Sequence, residues 1–499
     1  MKLILGGSLI FSILHSILLW NKAPGISVVL FLIPLLSFFI FFLNKNNKIT
    51  NHKGLTWAVP IVCLSLTYFI FNNQFFSWLN TIAICEFWLI MCISVTGIKL
   101  TPKSLITKSF GLICRPFEHF SHVTHGISDV LFKQEENTEK PQRTKKIVRA
   151  LVITIPIVLI VVILLASADS IFSNLFSGLG EILNQFIGNE SFPETLARII
   201  VAFMFFMYMA GFLHNIFESK PANDEQSLVN KKHKKIDNLT VYMMLTVLNI
   251  VYFIFCTIQI IYLFTKAGMP NNISYAEYAR QGFFQLMLVS FINFALLFWI
   301  HSREKQMSKF IIILEILMEV FTQIIIISAF YRMFLYEQAF GYTYLRLFVY
   351  FILAAEFIFM ISVIAYTTGK KINLLQSGLI IGTVLYIAIN YMNVDAVIAK
   401  NNINRYFTNT EKEIDFYYLM SNTGTDAIPE IKKLLNTDDT KLKTRVEMYL
   451  WKKKIDLNSE ESWMEFNISR QNARKSLKDI KDEEYDYESY REEKLIELY

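Results

Sequence analysis

Eleven stretches of this 499-residue chain are apolar over lengths close to what a helix needs to cross a bilayer: about 3–20, 26–43, 55–71, 75–97, 147–168, 194–217, 239–265, 281–300, 310–331, 342–366 and 373–391. A hydrocarbon core about 30 Å thick calls for roughly 20 such residues. In lipid, a helix satisfies its backbone donors and acceptors within its own segment. The pattern therefore predicts an all-α fold, a polytopic transmembrane helix bundle of about 11 spans with a small C-terminal helical domain. Composition excludes the soluble alternative. With a mean hydropathy of +0.39 and only 18% charged residues, too little polar surface remains to cover a water-soluble core. The first stretch has no small-x-small cleavage site behind it. Trp20-Asn21-Lys22 follows instead, so it is expected to be a retained helix rather than a leader.

Four regions are expected: an N-terminal four-span region (1–97), a basic loop (98–146), a seven-span core (147–391) and an acidic helical tail (392–499). The net charge of +6 divides unevenly. Residues 1–391 hold 30 Lys and Arg against 20 Asp and Glu, and residues 392–499 hold 18 against 22. If the N-terminus is cytoplasmic, the inner segments carry 24 Lys and Arg and the outer ones six. Basic residues collect on the cytoplasmic side, so this orientation is expected, with the tail outside. An acidic tail disfavours nucleic acid as a partner. The partners expected are the lipid bilayer, a lipid-linked or small-molecule substrate, and a protein partner for the tail.

The 98–149 loop mixes Phe110, Leu112, Ile113, Phe117, Phe120, Ile127 and Leu131 with polar residues over Leu105–Phe132, as an interfacial helix does. Charged residues fill Glu135–Arg149. His119, His122 and His125 recur at i, i+3 and i+6, without an obvious fourth ligand nearby in sequence, and are read as histidines at the headgroup level. Cys63, Cys85, Cys92, Cys114 and Cys256 form no CxxC pair. There is no Walker loop, HExxH or nucleophile elbow. Neither a metal nor a cofactor is expected. In the tail, Phe416, Leu419 and Met420, then Ile431, Leu434 and Leu435 behind Pro429, then Leu442, Val446, Tyr449 and Leu450, and finally Trp463, Phe466, Ile468 and Leu477 mark four short helical stripes. Asp482–Glu497 reads as a solvated end.

On the expected topology, four polar clusters meet the outer face. Asp169 ends the fifth span. Tyr275, Glu277 and Arg280 enter the eighth. Arg332, Tyr336, Glu337, Tyr342 and Arg346 join the ninth and tenth. Asn393, Asp395 and Arg405 follow the eleventh. Charges near hydrocarbon are costly unless paired. These residues make either a structural ion-pair layer or an outward-facing pocket. In a pocket, Arg would hold phosphate or carboxylate bidentately, and the tyrosines would stack on a sugar, ring or headgroup.

The string Tyr275–Phe284, Phe340-Gly341-Tyr342-Thr343-Tyr344-Leu345-Arg346, Ser167-Ala168-Asp169, Asn393–Arg405 and the Trp463–Arg470 element resemble a bacterial membrane family known as domain of unknown function 4173. Its sister family, 4153, has a similar architecture. The resemblance covers roughly residues 147–480, and residues 1–146 carry no family mark. It implies a multi-pass bacterial membrane protein and no particular activity. Phe340-Gly341-Tyr342 departs from the expected Tyr-Gly-Leu but keeps the aromatic residue and the glycine.

Inside the spans lie Glu86, Glu315, Glu319 and Glu356. The last three sit in adjacent spans, more carboxyls than helix-to-helix hydrogen bonding requires. They form either a proton or cation relay or a set of interhelical hydrogen bonds with Asn249, Gln259 and Asn293. Three functions fit these residues. The first is a proton-coupled transporter or permease. The second is a membrane enzyme acting on a lipid-linked substrate, with Asp169 or Glu277 as base or metal ligand and Arg280, Arg332 or Arg346 on phosphate. The third is a non-catalytic envelope sensor or scaffold.

Overall fold

The structure, a computed structural model, describes residues 1–98, 100–131, 192–218, 238–260, 283–303, 308–408, 414–458 and 462–480. Among these residues there are helices and no strands. Eight helices are long and apolar enough to cross a membrane, and Lys2–Leu18 and Leu286–Leu297 are shorter apolar ones. The chain is an all-α membrane helix bundle. The expected span at 147–168 and the linker Glu135–Arg149 lie outside the described residues. The chain folds into two compact units. Unit 1 comprises Met1–Ile70, Ser77–Gln226 and Glu460–Ile468, and unit 2 comprises Phe71–Phe76, Ser227–Ser459 and Ser469–Tyr499.

Unit 1 contains α1 (Lys2–Leu18), α2 (Ile26–Lys45), α3 (Ala58–Ile70), α4 (Gln74–Val95, mostly in this unit), α5 (Pro102–Glu118), α6 (Phe120–Leu131) and α7 (Phe192–Glu218). α1 packs on α7 and α2, and both α5 and α6 pack on α7. Polar groups of α1 find partners on α7: Arg198 donates to the Ser16 hydroxyl at 2.8 Å and to the Ser16 carbonyl at 3.0 Å, and His15 stacks on Phe205. The loop helix expected over Leu105–Phe132 is two helices. Pro116 lacks the N–H that would continue the ladder, and His119 caps α5 outside the helical region, so α6 leaves as a separate element. α5 exposes Ile106, Phe110 and Phe117 on one face, the pattern of a helix lying against an apolar medium. A tail segment completes this unit. The Phe466 carbonyl accepts from the Ile26 N–H at 2.9 Å, and Glu465 accepts from the Ala23 N–H at 2.8 Å.

Unit 2 contains α8 (Asn238–Gln259), α9 (Phe283–Arg303), α10 (Lys309–Phe340), α11 (Tyr344–Thr367), α12 (Leu374–Tyr391), α13 (Val394–Thr408), α14 (Phe416–Asn422), α15 (Ile428–Ile431), α16 (Thr440–Asn458) and α17 (Ile468–Ser476, almost wholly in this unit). α10 packs against α8, α9 and α11, and so is the hub of the bundle. One core lies among these spans, around Met318, Ile325, Ala329, Leu353 and Met360. A second joins α13 to the tail helices through Ile398, Ile403, Leu419, Ile428, Ile431, Val446 and Leu450.

Two expectations need correction. Arg332, Tyr336 and Glu337 were expected in a joint between spans nine and ten, but they stand on α10. No Gly or Pro interrupts Lys309–Phe340, so the helix runs on until Gly341, whose φ of +83° ends it. The joint is only Gly341–Thr343, and Thr343 caps α11 by accepting from the Arg346 N–H. The polar stretch after span eleven is also a helix, α13. Asn393, at φ 50°, makes the turn between α12 and α13.

Candidate functional site

Polar groups recur along the buried face of α10. Glu315 and Glu319, one turn apart, are each 0% exposed, and Thr322, Arg332 and Glu337 continue on the same helix, all buried. From Glu315 to Glu337 the helix rises about 33 Å, close to the thickness of a hydrocarbon core. Neighbouring spans supply partners. Thr367 on α11 donates to Glu319 at 2.6 Å. Asn293 on α9 donates to the Thr322 hydroxyl at 2.9 Å and accepts from Tyr252 on α8 at 2.6 Å. Asn249 donates to the Leu314 carbonyl at 2.9 Å. Arg332 donates to Gln259 at 2.9 Å. On α11, Glu356 lies 2.6 Å from the Ser290 hydroxyl, which is also 2.7 Å from the Met287 carbonyl. The Ser290 hydroxyl is the donor to the Glu356 carboxyl. Glu319 Oε2 and Glu356 Oε1 are buried without a hydrogen-bond partner among the described residues. Each of these two acids thus has one oxygen at a hydroxyl and one without a partner among the described residues.

Where α10 gives way to α11, a pocket of about 480 Å³ opens, lined by Tyr342, Arg346, Asn402, Arg405, Asp415 and Tyr418 among others. That volume is within the range of small-molecule sites, roughly 300–1,000 Å³. Asn402 builds its floor by clamping Tyr342, accepting from the Tyr342 N–H at 2.7 Å and donating to its carbonyl at 2.9 Å. Arg346 donates to the Gly341 carbonyl and Arg405 to the Ala339 carbonyl. The Arg346 guanidinium also lies 4.4 Å from the centre of the Tyr336 ring, a cation–π contact. Arg405 Nε is buried without a hydrogen-bond partner among the described residues. Burial, and then the like charge of Arg346, push the Arg405 pKa down. Burial, reinforced by the Glu337 carboxylate to which it hydrogen-bonds, pushes the Tyr342 phenol up to about 12. Two arginines held side by side on carbonyl oxygens, in a pocket walled by tyrosines, suit an anion with a planar or tetrahedral oxygen array.

A third group lies at the root of α13. Asp395 is buried, and its Oδ2 accepts from the Gly424 N–H at 3.1 Å. Asp426 accepts from the Asn72 N–H at 2.8 Å and from the Asn393 side chain at 3.4 Å. Burial, and then the Asp426 charge, raise the Asp395 pKa to about 8. Asp426 is raised too, by burial. Gly424 presses on the Asn72 carbonyl with no room for a Cβ. This cluster ties residues 71–76 to the tail helices.

Of the residues singled out in the sequence, Tyr342, Arg346 and Arg405 line one pocket. Glu337 bonds Tyr342 from α10, and Arg332 turns to Gln259 instead. Asn393 and Asp395 belong to the separate carboxyl cluster. Asp169, Tyr275, Glu277 and Arg280 lie outside the described residues. Glu315, Glu319 and Glu356 lie within the spans of unit 2, whereas Glu86 is exposed on α4 in unit 1. Sequence reading missed Asn402, Asp415, Tyr418 and Asp426. The run Asn401, Asn402 and Asn404 was visible, but nothing in it marks one residue as the clamp.

A family model described as Domain of unknown function (DUF4153) matches residues 58–434. The match is to the sister family, in place of the 4173 family that the short aromatic strings resemble. It begins within the N-terminal region that bore no family mark and stops short of residue 480. No curated protein and no solved structure matches the chain.

Proposed function

The chain belongs to the DUF4153 family, and from that premise we propose that this multi-pass membrane protein is a proton-coupled permease for an anionic solute. Glu319 and Glu356 are the groups that exchange the coupling proton, with Glu315 beside them. The pocket of Arg346, Arg405 and the tyrosines takes a phosphate- or carboxylate-bearing solute. The observation that carries this reading is the buried polar face of α10, which holds two carboxyls in mid-span and ends beside the two arginines.

Mid-span carboxyls are expensive and mark ion or proton pathways more often than packing. The partners of Glu319 and Glu356 are hydroxyls, not arginines or lysines. A hydroxyl serves either protonation state of the acid, by donating to a carboxylate or accepting from a carboxyl. On the orientation favoured by the basic loops, with the N-terminus inside a bacterial cell membrane, the arginine pocket faces out. The solute then enters by the pocket and the proton by the α10 face.

The test uses the full chain reconstituted in vesicles that hold a trapped pH-sensitive dye. Inorganic phosphate, glycerol phosphate and a dicarboxylate are added in turn under an imposed proton gradient. At least one is expected to drive a protein-dependent dye response, reduced about tenfold or more in Arg405→Gln, the equivalent of losing about 1.4 kcal/mol of binding. Protein-containing and empty vesicles that respond alike to every solute would overturn the reading.

A further inference from the structure

We propose that unit 1 carries a divalent-metal site of the zinc-binding class, made by His119, His214 and Glu218. The site stands apart from the permease reading and uses none of its residues. In the sequence the histidines at 119, 122 and 125 lack a further ligand. The fold supplies two from α7, nearly a hundred residues on.

The positions follow from local structure. Gly211, His214 and Glu218 stand at i, i+3 and i+7, and so share one face of α7. Gly211 lies flat against the Pro116 carbonyl, with no space for a Cβ. That contact presses the last turns of α7 onto the corner where α5 ends and α6 begins, which is the position of His119. The rings of His119 and His214 come to 5.1 Å between centroids, and the ring of His122 stacks on His214 at 5.2 Å.

The donor atoms converge. Ligand atoms of His119, His214 and Glu218 all lie within 4.8 Å of one another. His119 Nδ1 is 3.5 Å from one Glu218 oxygen, and His214 Nδ1 is 3.8 Å from the other. These separations are too long for good hydrogen bonds. They are near the ligand-to-ligand spacing of a tetrahedral zinc site, about 3.4 Å for bonds of about 2.1 Å. Both Nδ1 atoms are buried without a hydrogen-bond partner among the described residues, and the His214 side chain is only 9% exposed. A buried ring nitrogen with no partner is costly, and a metal ion would satisfy both at once. Glu218 is 48% exposed, which leaves the ion a way in from water.

The donor set selects the ion. Two imidazoles and one carboxylate suit zinc and its first-row neighbours, and disfavour magnesium and calcium, which prefer oxygen. Three protein ligands leave a fourth position for water. His122, stacked on His214, walls that position. Because the ligands come from the α5–α6 corner and from the end of α7, the ion fixes the amphipathic pair to the end of an apolar span.

The test uses tag-free full-length protein in detergent, stripped with a chelator, loaded with zinc and desalted. Metal content is read by mass spectrometry, affinity by competition with a chromophoric chelator, and folding by thermal unfolding. One zinc per chain is expected in the wild type and in His52→Ala, whose exposed imidazole lies away from the cluster in the turn before α3. Zinc should raise the unfolding temperature of both. His119→Gln and the half-exposed, isosteric Glu218→Gln should each weaken zinc beyond the roughly 10–100-fold that outer-shell changes cost, and abolish the thermal shift. Cobalt loaded in place of zinc should give the strong visible bands of a four-coordinate site in the wild type and His52→Ala, and not in His119→Gln or Glu218→Gln. Equal zinc affinity in the wild type and Glu218→Gln, or no zinc retained by folded wild type, would overturn the proposal.

Discussion

α7 and α10 are both long apolar helices, yet they hold their ionisable groups in opposite ways. α7 keeps its ionisable groups near its two ends, Glu194 and Arg198 in the first turns and His214 and Glu218 in the last two, and Glu218 is half open to solvent. α10 buries two glutamates; Thr367 of α11 donates to Glu319, and α8 and α9 supply amide and phenol bonds to the neighbouring Thr322. The end of α10 is closed as well. Gly341 turns the chain, Asn402 clamps Tyr342, and Arg405 reaches back to the Ala339 carbonyl. A helix end that meets water can carry charge with little supporting structure, because solvent screens it. Charge inside a span calls for polar partners from neighbouring helices, and Glu319 and Glu356 each find a hydroxyl.

The largest way to sharpen this contrast is pH. Asp395 is buried, with a pKa raised to about 8, whereas an unfolded chain returns it to the ordinary carboxyl range. The folded state thus holds the proton more tightly than the unfolded state does. Its stabilising contribution is complete at acid pH and is lost as pH rises through the folded value, by up to about 1.4 kcal/mol per pH unit. Thermal unfolding followed between about pH 4 and about pH 8 should therefore show stability falling with pH. Asp395→Asn should flatten that slope.

A smaller effect is expected at the closed end of α10. Gly341 has φ +83° and ψ −176°, a region open almost only to glycine. A Cβ there would stand 2.5 Å from Asn402 Oδ1 and 2.6 Å from Arg405 Nη1. Gly341→Ala should cost about 1–3 kcal/mol in backbone strain, lower the unfolding temperature and weaken any anion bound by the two arginines. An effect of similar size belongs to the acids within the spans. Thr367→Val removes the hydroxyl that donates to Glu319 at 2.6 Å, and should cost about 1–3 kcal/mol if the acid is left charged. The cost should fall to a few tenths when Glu319→Gln is combined with it, a coupling read from a double-mutant cycle.

The sequence disclosed the spans because twenty apolar residues in a row have few alternatives. Eight of the eleven expected stretches are helices within three residues of their expected ends, α8 is described only to residue 260 of an expected 265, α10 runs nine residues past its expected end, and 147–168 lies outside the described residues. The length of α10 was not legible, because Arg332, Tyr336 and Glu337 look like a loop to a hydropathy reading. Their helix persists because nothing breaks it before Gly341 and because Gln259 takes the arginine. α13 was hidden for a similar reason: its Asn-rich surface masks the apolar stripe Ile398, Ala399 and Ile403. The pairing of His119 with His214 depends on one close packing contact, at Gly211, and no spacing along the chain encodes it.

The central claim is that Glu319 moves protons for a solute held by the arginines. Proton and solute movements counted together in the same vesicles test it most directly. The account predicts that Glu319→Gln still binds and exchanges the solute but moves it without a proton, while Arg405→Gln loses both movements. If Glu319→Gln carries as many protons per solute as the wild type, the buried face of α10 is packing and the account is wrong.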